Sequence, residues 1–113
     1  MPEPAYYYIA SGSENEWTWR NNTAAFNHFQ IIPQSLTDMD DPQTETEFLG
    51  KKLKTPIMIS PIACHGISHK DGEVATALGA KEAGAMFSSS TYANRSVEDI
   101  AEAAGDAPRL FQL

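Results

Sequence analysis

Thr55-Pro56-Ile57-Met58-Ile59-Ser60-Pro61-Ile62 is β-prone and almost wholly apolar. That composition suits a strand buried on both faces better than one alternating between core and water. Asp71 to Ala83 follows with helical spacing; Val74, Ala75, Leu78 and Ala83 are expected to face a sheet, and Gly84 stands where a helix C-cap belongs. Ala85 to Ser90 reads as a second strand. Asn94 or Ser96 can cap a second helix, in which Val97, Ile100, Ala101 and Ala104 recur at three- and four-residue steps. Gly105 and Pro108 end it, and Arg109 to Leu113 begins a third strand. Strand, helix, strand, helix, strand in units of roughly 30 residues is an α/β pattern: a parallel sheet with crossover helices.

Upstream the periodicity is different. Glu45 to Leu49 and Lys51 to Lys54 flank Gly50 and read as a short hairpin. Thr37 to Thr46, with Asp38, Asp40, Asp41 and Pro42, is a polar, turn-rich surface segment. Its aspartates lack the glycine and terminal glutamate of a calcium loop, so a solvated turn is the expectation. Pro33 bars a helix, leaving Gln30 to Leu36 extended. Ser13 to Phe29 is expected to be helical, with Ser13 as N-cap and Glu16 closing a capping box.

Composition narrows the function. The chain has 113 residues, with 8 Lys plus Arg against 15 Asp plus Glu, a net charge of −7. That balance argues against a nucleic-acid surface and against a polybasic membrane anchor. An apolar fraction of 42% with 10% aromatics is globular. The single cysteine, Cys64, allows no internal disulfide. Met1 to Tyr8 has neither the basic start nor the apolar core of a signal peptide, and the longest apolar run is too short to span a bilayer. A reducing compartment, the cytoplasm, is the expected location. A closed (β/α)8 barrel needs on the order of 250 residues, so the chain is expected to be a piece of a larger α/β protein.

In a parallel α/β sheet, ligands sit at the carboxyl ends of the strands. Three segments meet that condition: Pro61-Ile62-Ala63-Cys64-His65-Gly66, Ser88-Ser89-Ser90-Thr91-Tyr92, and Gln112. Small residues there let a flat ligand approach the main chain, and Ser90, Tyr92 and Gln112 can hydrogen-bond a heterocycle. Ordinary strand-end packing is the competing reading. His65 and His69 are four apart, as two metal ligands on a helix would be, but neither a zincin glutamate nor a third ligand is near. No metal is expected, and Cys64 is read as structural. Arg20, Arg95 and Arg109 are scattered, so no carboxylate clamp is assigned to them.

Four blocks in order carry a resemblance: Tyr8-Ile9-Ala10-Ser11-Gly12-Ser13 with Glu16-Trp17, then Pro61 to Gly66, then Ser88 to Tyr92, then Pro108-Arg109-Leu110-Phe111-Gln112. Together they resemble the FMN-dependent α-hydroxy acid oxidases and dehydrogenases, above all the bacterial lactate-oxidising members. The resemblance covers nearly the whole chain. It implies residues 1–113 of one oxidase domain: an N-terminal helix and hairpin in a pre-barrel segment over 1–54, then the first two and a half units of a (β/α)8 barrel over 55–113. It implies FMN as cofactor, an (S)-2-hydroxy acid and O2 as partners, and a homotetrameric parent. By position, Tyr8 and Tyr92 resemble substrate-side residues. Pro61, Ile62 and Ala63 resemble the strand segment against the isoalloxazine, and Ser90 and Gln112 the side chains on its polar edge.

The same resemblance implies that other parts of such an enzyme lie outside these residues: an active-site tyrosine after Leu113, a lysine near flavin N1, the histidine base, two substrate-binding arginines and the phosphate-binding loops. These 113 residues alone are therefore expected to be inactive and to leave apolar strand faces in water. Two other readings stay open: a non-catalytic split or decayed remnant, and a dehydrogenase passing electrons to another acceptor.

Overall fold

The computed structural model describes residues 1–37 and 40–113, so Asp38 of the aspartate turn lies outside the described residues. The chain divides into two units, Met1–Asp41 and Pro42–Leu113. In the first, two helices stand where one was expected. α1 spans Glu3–Ala10 and α2 spans Trp17–Ala24, continued by a 3-10 turn over Ala25–His28. The capping box does not form. Glu16 instead takes a left-handed conformation (φ 57°) and its carboxylate accepts the Gly12 N–H at 3.1 Å, while Asn15 Oδ1 accepts the Trp17 N–H. The Glu16 N–H goes to the Ser13 carbonyl rather than to its hydroxyl, and α2 begins only at Trp17. Neither helix contains a buried residue.

The second unit opens with the expected hairpin. β1 (Thr46–Phe48) pairs antiparallel with β2 (Lys51–Leu53), and Leu49 and Gly50 both turn at positive φ. Two left-handed residues in a two-residue loop match the twist of the flanking strands. Beyond it β3 (Met58–Ile59), β4 (Met86–Ser89) and β5 (Arg109–Phe111) form a parallel sheet in the order β3-β4-β5. α3 (Gly72–Ala83) and α4 (Val97–Ala104) make the two crossovers. Strand, helix, strand, helix, strand is thus the observed order, and the described residues form an open sheet rather than a closed barrel.

The central strand β4 is buried at all four positions, but β3 is not the doubly buried strand expected over Thr55 to Ile62. Ile57 is 64% exposed and Ile62 50%. Edge position explains this, because among the described residues β3 has a neighbour on one side only. Pro56 and Pro61, which have no N–H to donate, bracket the short paired segment.

The core also uses a different helix face from the one expected. Ala77 and Ala80 of α3 pack with Phe87, Ile100 and Ala104, while Leu78 is exposed and Val74 only half-buried. Small side chains let α3 lie close to both the sheet and α4, and close packing favours the alanine face over the leucine. Gly84 ends α3 at φ 68°, donating its N–H to the Ala80 and Lys81 carbonyls as a C-cap. Ser96, not Asn94, caps α4 by accepting the Asp99 N–H. Among the described residues no helix is long and apolar enough to cross a membrane.

Candidate flavin site at the strand ends

Parallel pairing puts the carboxyl ends of β3, β4 and β5 on one edge of the sheet, and the loops that follow are tied to one another there. Cys64, at φ 58°, donates its N–H to the Tyr92 carbonyl at 3.1 Å. Gly66 donates its N–H to Asn94 Oδ1 at 2.8 Å. A Cβ on Gly66 would lie 2.7 Å from that oxygen, so a larger residue there would displace the Asn94 amide. Arg95 reaches back to the Lys70 carbonyl at 2.5 Å.

Between β4 and β5 the link runs through side chains. The Ser90 hydroxyl donates to Gln112 Oε1 at 3.2 Å and accepts the Tyr92 N–H at 3.1 Å. Thr91 Oγ1 donates to the Gln112 carbonyl at 2.8 Å, and the Gln112 N–H donates to Ser89 O at 2.9 Å. Gln112 thus has its oxygen committed to Ser90, and its amide hydrogens make no hydrogen bond among the described residues. One buried hydroxyl and one primary amide, held side by side, suit a planar heterocycle whose edge alternates acceptors and donors. After β3, Pro61 and Ile62 are exposed and Ala63 half-buried, and the Ile62 and Ala63 N–H groups enter no backbone hydrogen bond among the described residues.

The structure therefore brings Ser90, Tyr92 and Gln112 into one network and joins the Pro61–Ala63 segment to it through Cys64. Tyr8 is on α1 in the unit Met1–Asp41 and is about half exposed. His65 has a structural setting: Nδ1 is 2.9 Å from Thr76 Oγ1, and the ring meets Phe87 edge-on. His69 lies beside Asp71 at 3.8 Å. Arg20 and Arg109 hold main-chain carbonyls of their own loops.

One residue escaped the sequence reading. Glu73, in the first turn of α3, is completely buried. Its Oε1 accepts the N–H groups of His65 and Asn94, both at 3.0 Å, and its Oε2 accepts the Arg95 N–H at 3.2 Å. Burial pushes the carboxyl up, but the amides of Asn94, of Glu73 itself, of His65 and of Arg95 together outweigh it and hold the group below the ordinary glutamate value. The available signal was a stripe: Glu73, Ala77, Ala80 and Gly84 share one helix face whose other members are all small.

Known proteins are similar to this chain in sequence and fold. The chain is 81% identical, along its whole length, to 28% of the L-lactate oxidase of Lactobacillus jensenii. It is 42% identical, again throughout, to 30% of glycolate oxidase 1 of Zea mays. A solved lactate oxidase of Pediococcus acidilactici superposes on 99% of the chain and 31% of its own length, with a TM-score of 0.92 and 44% identity. The chain spans under a third of the length of these relatives. The model of the FMN-dependent dehydrogenases matches residues 1–113, the strand-end loops included, and the chain belongs to that family.

Proposed function

We propose that this protein oxidises an (S)-2-hydroxy acid, L-lactate, to the 2-oxo acid with FMN as cofactor and O2 as electron acceptor, releasing H2O2. The observation that carries the reading is the Ser90–Gln112 pair at the ends of β4 and β5, beside the uncommitted main chain of Pro61–Ala63. That donor set fits the flavin: Ser90 and Gln112 would meet the polar edge of the ring, and Pro61, Ile62 and Ala63 would lie along it. Tyr92, at the rim of the same network, and Tyr8 would contact the substrate. FMN, when bound, supplies the acceptor for the hydride of the substrate's α-carbon and passes the electron pair to O2.

The protein's own residues here bind and orient rather than move protons. The base that removes the hydroxyl proton in such enzymes has no counterpart in residues 1–113, so these residues alone are proposed to be inactive. Identity to the Lactobacillus jensenii protein supports lactate over longer hydroxy acids. The single Cys64 supports a reducing compartment, the cytoplasm; a homotetramer is the proposed assembly.

The test is to supply the full-length protein with FMN and L-lactate and follow O2 uptake and peroxide. Stoichiometric H2O2 is expected from that protein, and none from the 113-residue chain. Flavin reduction by lactate without peroxide would assign the dehydrogenase reading instead, and failure to bind FMN would overturn the proposal.

A further inference from the structure

We infer that Glu73 is a positioning residue for the flavin: its carboxylate fixes the spacing of the loops after β3 and β4, and so the Pro61–Ala63 main chain and Tyr92 beside the ring. The inference rests on the FMN reading above. Glu73 is 0% exposed, and its hydrogen bonds to other residues run to His65, Asn94 and Arg95, which are 8, 21 and 22 positions away. His65 stands two residues beyond Ala63, and Asn94 two residues beyond Tyr92. The carboxylate is therefore one step removed from each proposed ligand contact, on both sides at once.

The helix does not need this group in order to pack. Ala77 and Ala80 already seat α3 against Phe87 and Ile100. What Glu73 adds is specific to the loops. Three N–H donors converge on two oxygens, and only a carboxylate offers acceptors on both. A glutamine in its place keeps one oxygen for His65 and Asn94 but turns an NH2 group toward the Arg95 N–H, donor against donor. The remaining oxygen still spans His65 and Asn94, but the Arg95 N–H loses its acceptor and faces a donor, which pushes the β4 loop off its seat; the links from Cys64 to Tyr92, Gly66 to Asn94 and Arg95 to Lys70 stay in place.

The experiment uses the full-length holoprotein, stripped of FMN and titrated back by flavin fluorescence, with the visible absorption and circular dichroism of the bound flavin recorded. Glu73→Gln is expected to raise the Kd for FMN about tenfold, the loss of a hydrogen bond to a charged group, and to shift the flavin bands. Ser96→Ala is the matched control: it removes the cap of α4 without touching Glu73, and should lower the melting temperature while leaving Kd and spectrum unchanged. A folded Glu73→Gln protein with wild-type Kd and spectrum overturns the inference. Should that variant not fold, Glu73→Asp keeps both acceptor oxygens on a stem one methylene shorter, and an unchanged Kd and spectrum there overturn it equally. Wild-type protein that binds no FMN removes the functional reading itself, and this inference with it.

Discussion

Glu73 is a charge kept in the interior by the amide hydrogens of Asn94, His65, Arg95 and its own residue, and its protonation should be visible in stability. Its folded carboxyl lies below the value in the unfolded chain, about 4.3. Its ionised form therefore stabilises the fold fully above that pH, and the contribution is lost as pH falls through the lower folded value. Urea midpoints measured from pH 7 to pH 3 should fall more steeply in wild type than in Glu73→Gln, the two curves converging in acid; parallel curves would deny the carboxylate this role. Ser90 and Gln112 were legible as hydrogen-bonding residues at strand ends because small and amide side chains there have a recognisable chemistry, whereas Tyr92 joins their network through its main chain. Glu73 was not, because its partners are main-chain N–H groups, which any residue type supplies and no sequence pattern marks. Of the two candidate caps for α4, Asn94 and Ser96, Ser96 sits at the right offset, and Asn94 Oδ1 goes to Gly66 instead.

At the scale of elements, the punctuation was easier to read than the faces. Gly84, Ser96 and Gly105 mark where helices stop or start through local geometry alone, and the strand and helix order followed from them. The burial of Thr55 to Ile62 depends on neighbours that only tertiary structure supplies, and the α3 face was misread because alanines carry little apolar weight. α1 was missed because Tyr6, Tyr7 and Tyr8 are poor helix formers in a row. Gly84 also has a second duty. At φ 68°, with Lys54 side-chain atoms 2.7 Å from where its Cβ would stand and its carbonyl accepting the Lys54 N–H, it joins α3 to the segment after the hairpin. Gly84→Ala should cost about 1–3 kcal/mol from strain in the left-handed conformation, read as a lowered urea midpoint. An alanine variant of wild-type stability would show that the backbone there relaxes freely.

For the whole molecule the balance is between a small core and much apolar surface. Ile31 is 95% exposed, Ile32 84% and Phe26 77%, and β3 and β5 leave strand edges unpaired among the described residues. In each unit, exposed apolar side chains or open strand edges invite association. Each large side chain left in water forfeits roughly 1.5–3 kcal/mol of burial, against a domain stability of about 5–15 kcal/mol. The 113-residue chain alone should therefore self-associate, giving a broad light-scattering profile and binding ANS. A monodisperse monomer with one sharp melting transition would contradict this. The shared carboxylate also sets a timetable for opening. The amide protons of His65, Asn94 and Arg95 sit in surface loops, where exchange with solvent is ordinarily fast. Held by one buried acceptor, they become accessible together, when both loops lift, so the edge of the sheet breathes as a single unit rather than loop by loop.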